Sequence, residues 1–147
     1  MRMIGTLGLA ALLGLSWVGS AAAQATAQAS ALAPWLQSKP VVARIHADWC
    51  PACKATNSTM NSIKVKYGRS IRFVQFDVTD GKTSALAAAD AKYLGLTGFF
   101  EANKTATSTV AIINPKTGAI VAKLYGDTDV SDYATAIDKV TAQLRGK

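Results

Sequence analysis

The chain has 147 residues, half of which are hydrophobic, and a formal net charge of +7. This length suits one folded domain, and so apolar a composition excludes a mainly disordered protein. The basic residues form no dense run and are not interleaved with aromatic ones. We therefore expect no nucleic-acid binding, whereas an acidic partner or a membrane surface stays open.

Residues 1–25 are typical of an export signal. A basic start at Arg2 precedes an apolar stretch over residues 4–18, and small alanines follow near residues 23 and 25. The stretch is shorter than the roughly 20 residues of a spanning helix, so we expect cleavage, with retention as an uncleaved membrane anchor as the alternative. Either outcome places the domain outside the cytoplasm, in a periplasm, a lumen or the extracellular space, where disulfides persist.

A linker and a single domain are expected after the signal. Residues 24–30 consist only of Ala, Gln, Thr and Ser, which is typical of a solvated linker, and we assign the linker to residues 26–33. We expect the folded domain to span residues 34–147. Its first strand is predicted over residues 41–47, because a nearly continuous apolar run suits a strand covered on both faces. Arg44 interrupts that run.

The only two cysteines of the chain follow this strand, with two residues between them. Cys50 lies where the strand gives way to an apolar stripe at helical spacing, so we expect it at a strand–helix junction. Unpaired N–H groups and the helix dipole favour a thiolate there, and the thiolate is the form that attacks disulfides. Cys53 follows one helical turn later, so the pair can close into a disulfide and open again.

Three interpretations of this pair stay open. A C-x-x-C is also half of a four-ligand zinc site, but the chain has no further cysteine, and its one histidine, His46, has no ligand spacing to the pair. The first interpretation is redox chemistry, with no metal and no cofactor beyond the Cys50–Cys53 disulfide. The second is a metal or iron–sulfur cluster bound by the thiols of two subunits. The third is an idle structural disulfide.

The rest of the chain predicts three further strands and two further helices. In order, the patterns indicate a strand over 71–78, an Ala-rich helix over 83–94, hairpin strands over 109–113 and 119–125, and a final amphipathic helix from Val130. We expect Leu86, Tyr93 and Leu94 to pack the Ala-rich helix on the sheet. A right-handed crossover makes the first two strands parallel. The expected fold class is therefore α/β, with a mixed sheet of about four strands and helices on both faces.

Residues 95–107 are harder to interpret. Phe99 and Phe100 are adjacent and are followed by polar residues. They belong either to an exposed excursion that meets a partner protein or to the core beneath their own loop, which is the commoner arrangement for two large aromatic side chains.

The cysteine motif and the order of elements resemble the thioredoxin family. The run from Trp49 to Lys54 is similar to the family signature Trp-Cys-x-x-Cys-Lys, Asp77 follows the second strand as an acidic residue does there, and Gly126 resembles the glycine before the final helix. The resemblance covers roughly residues 34–145, although the usual first strand is missing. It implies a thioredoxin-like fold with thiol–disulfide exchange.

The resemblance also assigns roles to the two sulfurs. It implies that Cys50 is the exposed nucleophile and that Cys53 is the resolving thiol, which breaks the mixed disulfide. The expected partners are the thiols or disulfides of exported proteins, together with a redox protein that recycles the pair. A membrane is expected as a partner only if the N-terminal segment is uncleaved. The direction of electron flow is open at this point.

Two departures from the family lie in and beside the motif. Where cytoplasmic thioredoxins have a buried acid in the strand entering the motif, this chain has Arg44. A cation there would favour a thiolate and so the reduced protein; the alternative is that the side chain extends to the surface and does no chemistry. The dipeptide is Pro51-Ala52 instead of Gly-Pro, and proline in first place resembles oxidising, exported members.

The third departure lies just before the third strand, where the family places a cis-proline beside the substrate. Ser108 occupies that position, with Thr107 before it. A cis bond before a residue other than proline costs about 2.5–4 kcal/mol, so we expect a trans bond. We expect the backbone of Ser108 and Thr109 to pair with substrate.

Two further side chains complete the expected site. We expect Trp49 to cover one side of the Cys50 sulfur, which is compatible with partial burial of its indole. Lys54 follows Cys53 directly, and together with Arg44 it would contribute positive potential.

Overall fold

The computed structural model describes residues 31–146. The predicted signal or anchor segment and most of the predicted linker lie outside this range. Leu32, at the end of that linker, is buried, and its N–H donates a hydrogen bond of 2.8 Å to the Pro115 carbonyl. Packed structure therefore begins before residue 34. No helix within residues 31–146 has the length and apolar content to cross a bilayer.

The described residues form four strands and five α-helices. In chain order these are β1 (Val41–His46), α1 (Pro51–Ala55), α2 (Asn57–Tyr67), β2 (Arg72–Asp77), α3 (Gly81–Leu94), α4 (Thr97–Asn103), β3 (Thr109–Ile113), β4 (Ile120–Tyr125) and α5 (Val130–Arg145). Short 3-10 turns occur at Pro34–Leu36 and Gly68–Ser70. Every predicted strand is confirmed to within two residues at each end.

The sheet has the strand order β2-β1-β3-β4. β1 and β2 are parallel, with Val41 opposite Arg72, whereas β3 is antiparallel to both β1 and β4. This is the mixed four-stranded sheet that the sequence predicts. β1 is central, so the cysteine motif starts from the middle of the sheet.

Two apolar clusters cover the two faces of this sheet. On one face Val41, Ala43 and Ile45 of β1 pack with buried residues of α3 and α4. On the other face Val42 packs with buried residues of α2 and α5. Because side chains alternate along a strand, Arg44 lies on the same face as Val42, beneath α2 and α5.

Helix α3 packs on the sheet through small side chains. Ala87 and Ala91 are buried, whereas Leu86 is 59 % exposed and Tyr93 69 % exposed. The expectation that Leu86 and Tyr93 pack on the sheet is therefore wrong; only Leu94 is partly buried. Alanines allow a close approach of helix to sheet, and the larger residues remain at its flank.

The ambiguous segment before β3 contains helix α4. Phe99 and Phe100 are both buried, and their rings lie 6.3 Å and 5.4 Å from the ring of Phe76 on β2. This packing shows that the two phenylalanines belong to the core. They offer no exposed aromatic surface to a partner.

Candidate active site

Cys50 lies at the N-terminus of α1. Its backbone is extended, with φ −81° and ψ 114°, and Pro51 occupies the first helical position, where its fixed φ suits a helix start and its missing N–H is no loss. The backbone N–H of Cys53 donates a hydrogen bond of 3.0 Å to the Cys50 Sγ. Both cysteines are free thiols, so this geometry is that of the reduced pair.

The pKa of Cys50 is lowered from its ordinary value. Burial is the largest influence and acts to raise the pKa, but four hydrogen bonds together outweigh it. They come from the side chains of Cys53 and Thr107 and from the backbone N–H groups of Cys53 and Ala52. Hydrogen bonds to a thiolate stabilise the charged form, so the surroundings of Cys50 favour the nucleophilic state.

The pKa of Cys53 is raised instead. Burial is the main cause, and the neighbouring Cys50 raises the pKa further, both as a hydrogen-bond partner and as a charge. A backbone hydrogen bond from Ala47 and the positive charge of Arg44 act in the opposite direction. The two sulfurs therefore differ in acidity, with the pKa of Cys50 below the ordinary value and the pKa of Cys53 above it.

Cys50 is less exposed than expected. Only 3 % of the residue is accessible to solvent, against 0 % for Cys53. The prediction of an exposed nucleophile is therefore wrong in degree, because Ala47, Ala52 and Val78 pack around the cysteine pair. The expected difference between the two cysteines is nevertheless present, since Cys50 is the more exposed residue of the pair.

Arg44 is buried beneath the cysteine helix and does not extend to the surface. The residue is 3 % exposed. Its Nη2 donates hydrogen bonds to the carbonyl oxygen of Cys53 at 2.7 Å, to Thr56 Oγ1 at 3.1 Å and to Asn57 Oδ1 at 3.0 Å. Within residues 31–146 Arg44 forms no salt bridge, and its Nε is buried without a hydrogen-bond partner. The interpretation as a surface side chain is therefore wrong.

A buried polar network connects the cysteine helix with the turn before β3. Thr56, between α1 and α2, accepts the hydrogen bond from Arg44, and its Oγ1 lies 3.3 Å from Ser108 Oγ. The Thr56 hydroxyl also lies within hydrogen-bond distance of the carbonyls of Ala52 and Cys53. The network thus holds α1 against the chain segment that faces the sulfurs.

Ser108 adopts an unusual backbone conformation. Its φ is +69°, the one positive φ of a residue other than glycine within residues 31–146, and no peptide bond in that range is cis. Its N–H donates to the Ile45 carbonyl at 2.9 Å, and its carbonyl accepts from the Gly126 N–H at 3.2 Å. The expected trans bond is confirmed, and both backbone groups of Ser108 are used inside the fold.

The prediction that Ser108 and Thr109 pair with substrate is therefore wrong. Thr109 is also buried, and its N–H donates to the Ala106 carbonyl at 3.3 Å. The unpaired backbone groups belong to Thr107. Across residues 31–146 its N–H and its carbonyl form no hydrogen bond, and the residue is 9 % exposed. The sequence could have indicated Thr107 only through its position next to Ser108.

The other predicted site residues lie around the entrance of α1. The Trp49 indole donates a hydrogen bond of 2.9 Å to the Thr79 carbonyl and is 60 % exposed; that it covers the sulfur stays a prediction. Pro51 and Lys54 are exposed. Ala52 is half-buried, and its Cβ is 3.7 Å from the place where a Cβ would lie on Gly126.

The described residues offer no complete metal site. Within residues 31–146 no three side chains of His, Cys, Asp or Glu come together as candidate ligands. His46 Nε2 is 3.2 Å from Asp48 Oδ1, so its nearest polar partner is a carboxylate on the motif and not a cysteine. No observation favours the cluster-binding interpretation over thiol chemistry.

Comparison with known proteins agrees with the motif. The Thioredoxin family model matches residues 23–122, and no curated protein sequence matches the chain. Among solved structures, Fasciola hepatica thioredoxin is 18 % identical, with a TM-score of 0.48, over 71 % of this chain and 84 % of that one. Reduced Schistosoma mansoni thioredoxin pre-protein is 24 % identical, with a TM-score of 0.48, over 71 % and 81 %.

A third similar structure is mitochondrial thioredoxin 3 from Saccharomyces cerevisiae in its oxidized form, which is 22 % identical, with a TM-score of 0.46, over 71 % of this chain and 81 % of that one. The family match includes more than half of the chain and contains the whole Cys50–Cys53 motif. The chain belongs to the thioredoxin family of thiol–disulfide oxidoreductases.

Proposed function

We propose that this protein is an exported disulfide donor, which passes the Cys50–Cys53 disulfide to thiols of other exported proteins. The observation that carries the proposal is the unequal pair of sulfurs. Hydrogen bonds lower the pKa of Cys50, which is 3 % exposed, whereas Cys53 is fully buried and its pKa is raised. Stabilising one thiolate of a dithiol favours the reduced protein and therefore makes its disulfide more oxidising.

The exchange proceeds in two balanced steps. A substrate thiolate attacks the Cys50 sulfur of the disulfide, the Cys50–Cys53 bond breaks, and its electron pair leaves on Cys53, which takes up a proton. A second substrate thiol then loses its proton and attacks the substrate sulfur of the mixed disulfide. The electron pair of that bond leaves on Cys50, whose low pKa makes it a good leaving group. The substrate loses two electrons and the protein gains them.

Thr107 supplies the place where an extended substrate can bind. The Thr107 side chain acts to lower the pKa of Cys50, and within residues 31–146 the N–H and carbonyl of Thr107 form no hydrogen bond. Unpaired backbone groups beside a reactive sulfur can pair with an added strand. We therefore place the substrate main chain along Thr107 instead of along Ser108 and Thr109.

The export part of the proposal rests on the sequence of residues 1–25, with its basic start, apolar stretch and small residues. A recycling protein must then reoxidise the dithiol. Mass spectrometry of the mature N-terminus in an exporting cell tests the expected cleavage near residue 23 or 25.

Trapping tests the exchange itself. In Cys53→Ser the Cys50 thiolate is left alone, so expressed in the native compartment it should attack a disulfide of an oxidised substrate or of the recycling protein and remain joined to that protein, because no second thiol resolves the bond. Cys50→Ser should trap none. Equilibration of the purified protein with glutathione gives its reduction potential, which we expect to be less negative than about −270 mV, the value for thioredoxin. A more negative potential would reverse the proposed direction, and an absence of Cys50-linked proteins would reject the proposed partners.

A further inference from the structure

Arg44 is a buried cation that the exchange steps above do not use. In residues 31–146 it has no acidic partner, yet removing a charge from water is costly unless it is compensated. Its hydrogen bonds end on the carbonyl of Cys53 and on two neutral side chains. A positive charge held in this way is available to stabilise a negative charge that forms nearby.

We propose that Arg44 is a positioning residue for the buried sulfur: it holds the Cys53 main chain and stabilises the thiolate that forms on Cys53 during exchange. This inference rests on the proposed roles of the two cysteines. In this role a fixed positive charge takes the place of a proton-accepting group. A nearby positive charge can favour the thiolate without itself taking the proton.

Arg44 acts on Cys53 and not on Cys50. Arg44 contacts the main chain of Cys53 at 2.7 Å, and its charge acts to lower the pKa of Cys53. The influences that lower the pKa of Cys50 are hydrogen bonds from Cys53, Thr107 and Ala52, not Arg44. The Arg44 charge should therefore affect the step that uses the Cys53 thiolate and leave the attack by Cys50 almost unchanged.

The state of Cys50 decides when this charge has its effect. In the reduced pair, the Cys50 thiolate raises the pKa of Cys53. In a mixed disulfide Cys50 carries no charge, so that opposing influence disappears while Arg44 remains. Cys53 then loses its proton to solvent and attacks Cys50. The Cys50–Cys53 bond forms, the bond from Cys50 to the partner breaks, and its electron pair leaves on the partner sulfur.

The same charge should assist the reverse step. When a substrate thiolate attacks the disulfide, Cys53 is the leaving group, and a leaving thiol of lower pKa departs faster. Other charged or titratable groups lie on the two helices that pack on this face of the sheet, among them Lys64, Lys66 and Tyr67 on α2 and Tyr133 on α5. The charges of Arg44, Asp127 and Asp132 all act on the pKa of Tyr133.

A two-phase reaction with an aromatic disulfide that releases a coloured thiol tests the proposal. The reduced protein releases one coloured thiol when Cys50 attacks and a second when Cys53 resolves the mixed disulfide. Arg44→Met should slow the second release about tenfold or more near neutral pH and move its pH midpoint upward, because each pKa unit changes the thiolate fraction about tenfold. The first release should change less than about twofold.

Matched variants distinguish the effect of the Arg44 charge from the structural effect of replacing the side chain. Arg44→Lys keeps a charge and should retain most of the second rate, and Arg69→Met removes an exposed arginine as a control for net charge and should change neither phase. If Arg44→Met is too unstable to purify, Arg44→Gln replaces it under the same criterion. An unchanged pH midpoint in the neutral variant, or a lysine variant that resolves as slowly as the neutral one, overturns the proposal.

Cysteine variants show whether a negative result rejects the role of Arg44 or the roles proposed for Cys50 and Cys53. Cys53→Ser should show only the first release and Cys50→Ser neither fast release. If Cys50→Ser still reacts rapidly, the assignment of the two sulfurs is wrong, whatever Arg44 does. If the cysteine variants behave as expected while Arg44→Met matches the wild type, only the role of Arg44 is rejected.

Discussion

The backbone N–H of Gly126 donates a hydrogen bond of 3.2 Å to the carbonyl of Ser108, so the residue before the final helix region is tied to the turn that faces the cysteines. Gly126 has φ +60°, and a Cβ at this position would meet the Ala52 Cβ at 3.7 Å. The contact distance is ordinary, so backbone conformation and not space is what favours glycine here.

Gly126→Ala should therefore lower the free energy of unfolding by about 1–2 kcal/mol, the usual cost of placing an L side chain at positive φ. Urea unfolding of the reduced protein measures the change. Gly98→Ala is the matched control, because Gly98 lies in α4 without a positive φ and a Cβ there would meet nothing within 4 Å. A loss of the same size in Gly98→Ala would show that backbone conformation is not the cause.

Replacing Ser108 with proline, the residue that the family has at this position, should destabilise the protein. Proline fixes φ near −65° and has no N–H, whereas Ser108 has φ +69° and donates to the Ile45 carbonyl. We expect Ser108→Pro to lower the free energy of unfolding by at least about 2 kcal/mol. Ser108→Gly tolerates the positive φ and should stay within about 1 kcal/mol of the wild type. Thermal or urea unfolding of both variants measures these changes in stability. A proline variant as stable as the glycine variant would contradict the expectation.

Local sequence patterns were sufficient to predict the elements that depend on neighbouring residues. β3 is found at the predicted residues Thr109–Ile113, because a β-branched apolar run bounded by a turn has few other solutions. The position of Cys50 before a helix follows from Pro51 and the apolar stripe after it. The local sequence was therefore sufficient to predict that the two cysteines lie at the start of a helix.

Features that depend on distant residues could not be predicted in this way. The burial of Arg44 depends on a carbonyl acceptor nine positions later in the chain, and long side chains of this type are more often at the surface. The assignment of substrate contacts to Ser108 failed because its partners, Ile45 and Gly126, lie far away in sequence. A sequence pattern shows which groups exist but not which of them are already paired.

Thr107 should tune the nucleophile through its hydroxyl. The Thr107 side chain is one of the hydrogen-bond donors that lower the pKa of Cys50, so Thr107→Val should raise that pKa. Loss of about 1 kcal/mol of thiolate stabilisation would slow alkylation of Cys50 by iodoacetamide about fivefold at a pH below the pKa. The pH dependence of the alkylation rate measures the shift. Thr105→Val, an exposed position in the same turn, should alkylate like the wild type, and equal rates in the two variants would argue against the hydroxyl.

The lowered pKa of Cys50 also predicts how the stability of the reduced protein depends on pH. Because the pKa in the folded protein lies below the ordinary value of 9.0, the unfolded chain binds more protons between the two values. The free energy of unfolding therefore rises with pH in that window, by at most about 1.4 kcal/mol per pH unit for one proton. This contribution is complete above pH 9.0 and is lost as the pH falls through the folded pKa.

Cys53 reverses the sign at higher pH, since its pKa is raised above 9.0 and the folded protein then holds the extra proton. Tyr67 and Tyr133, with pKa raised to about 12, add to this loss only above the ordinary tyrosine value of about 10. Urea unfolding under reducing conditions from about pH 6 to about pH 9 should show the rise for the wild type. Cys50→Ala should lack it, because it has no thiolate to stabilise, and parallel curves for the two proteins would mean that the fold does not favour ionised Cys50.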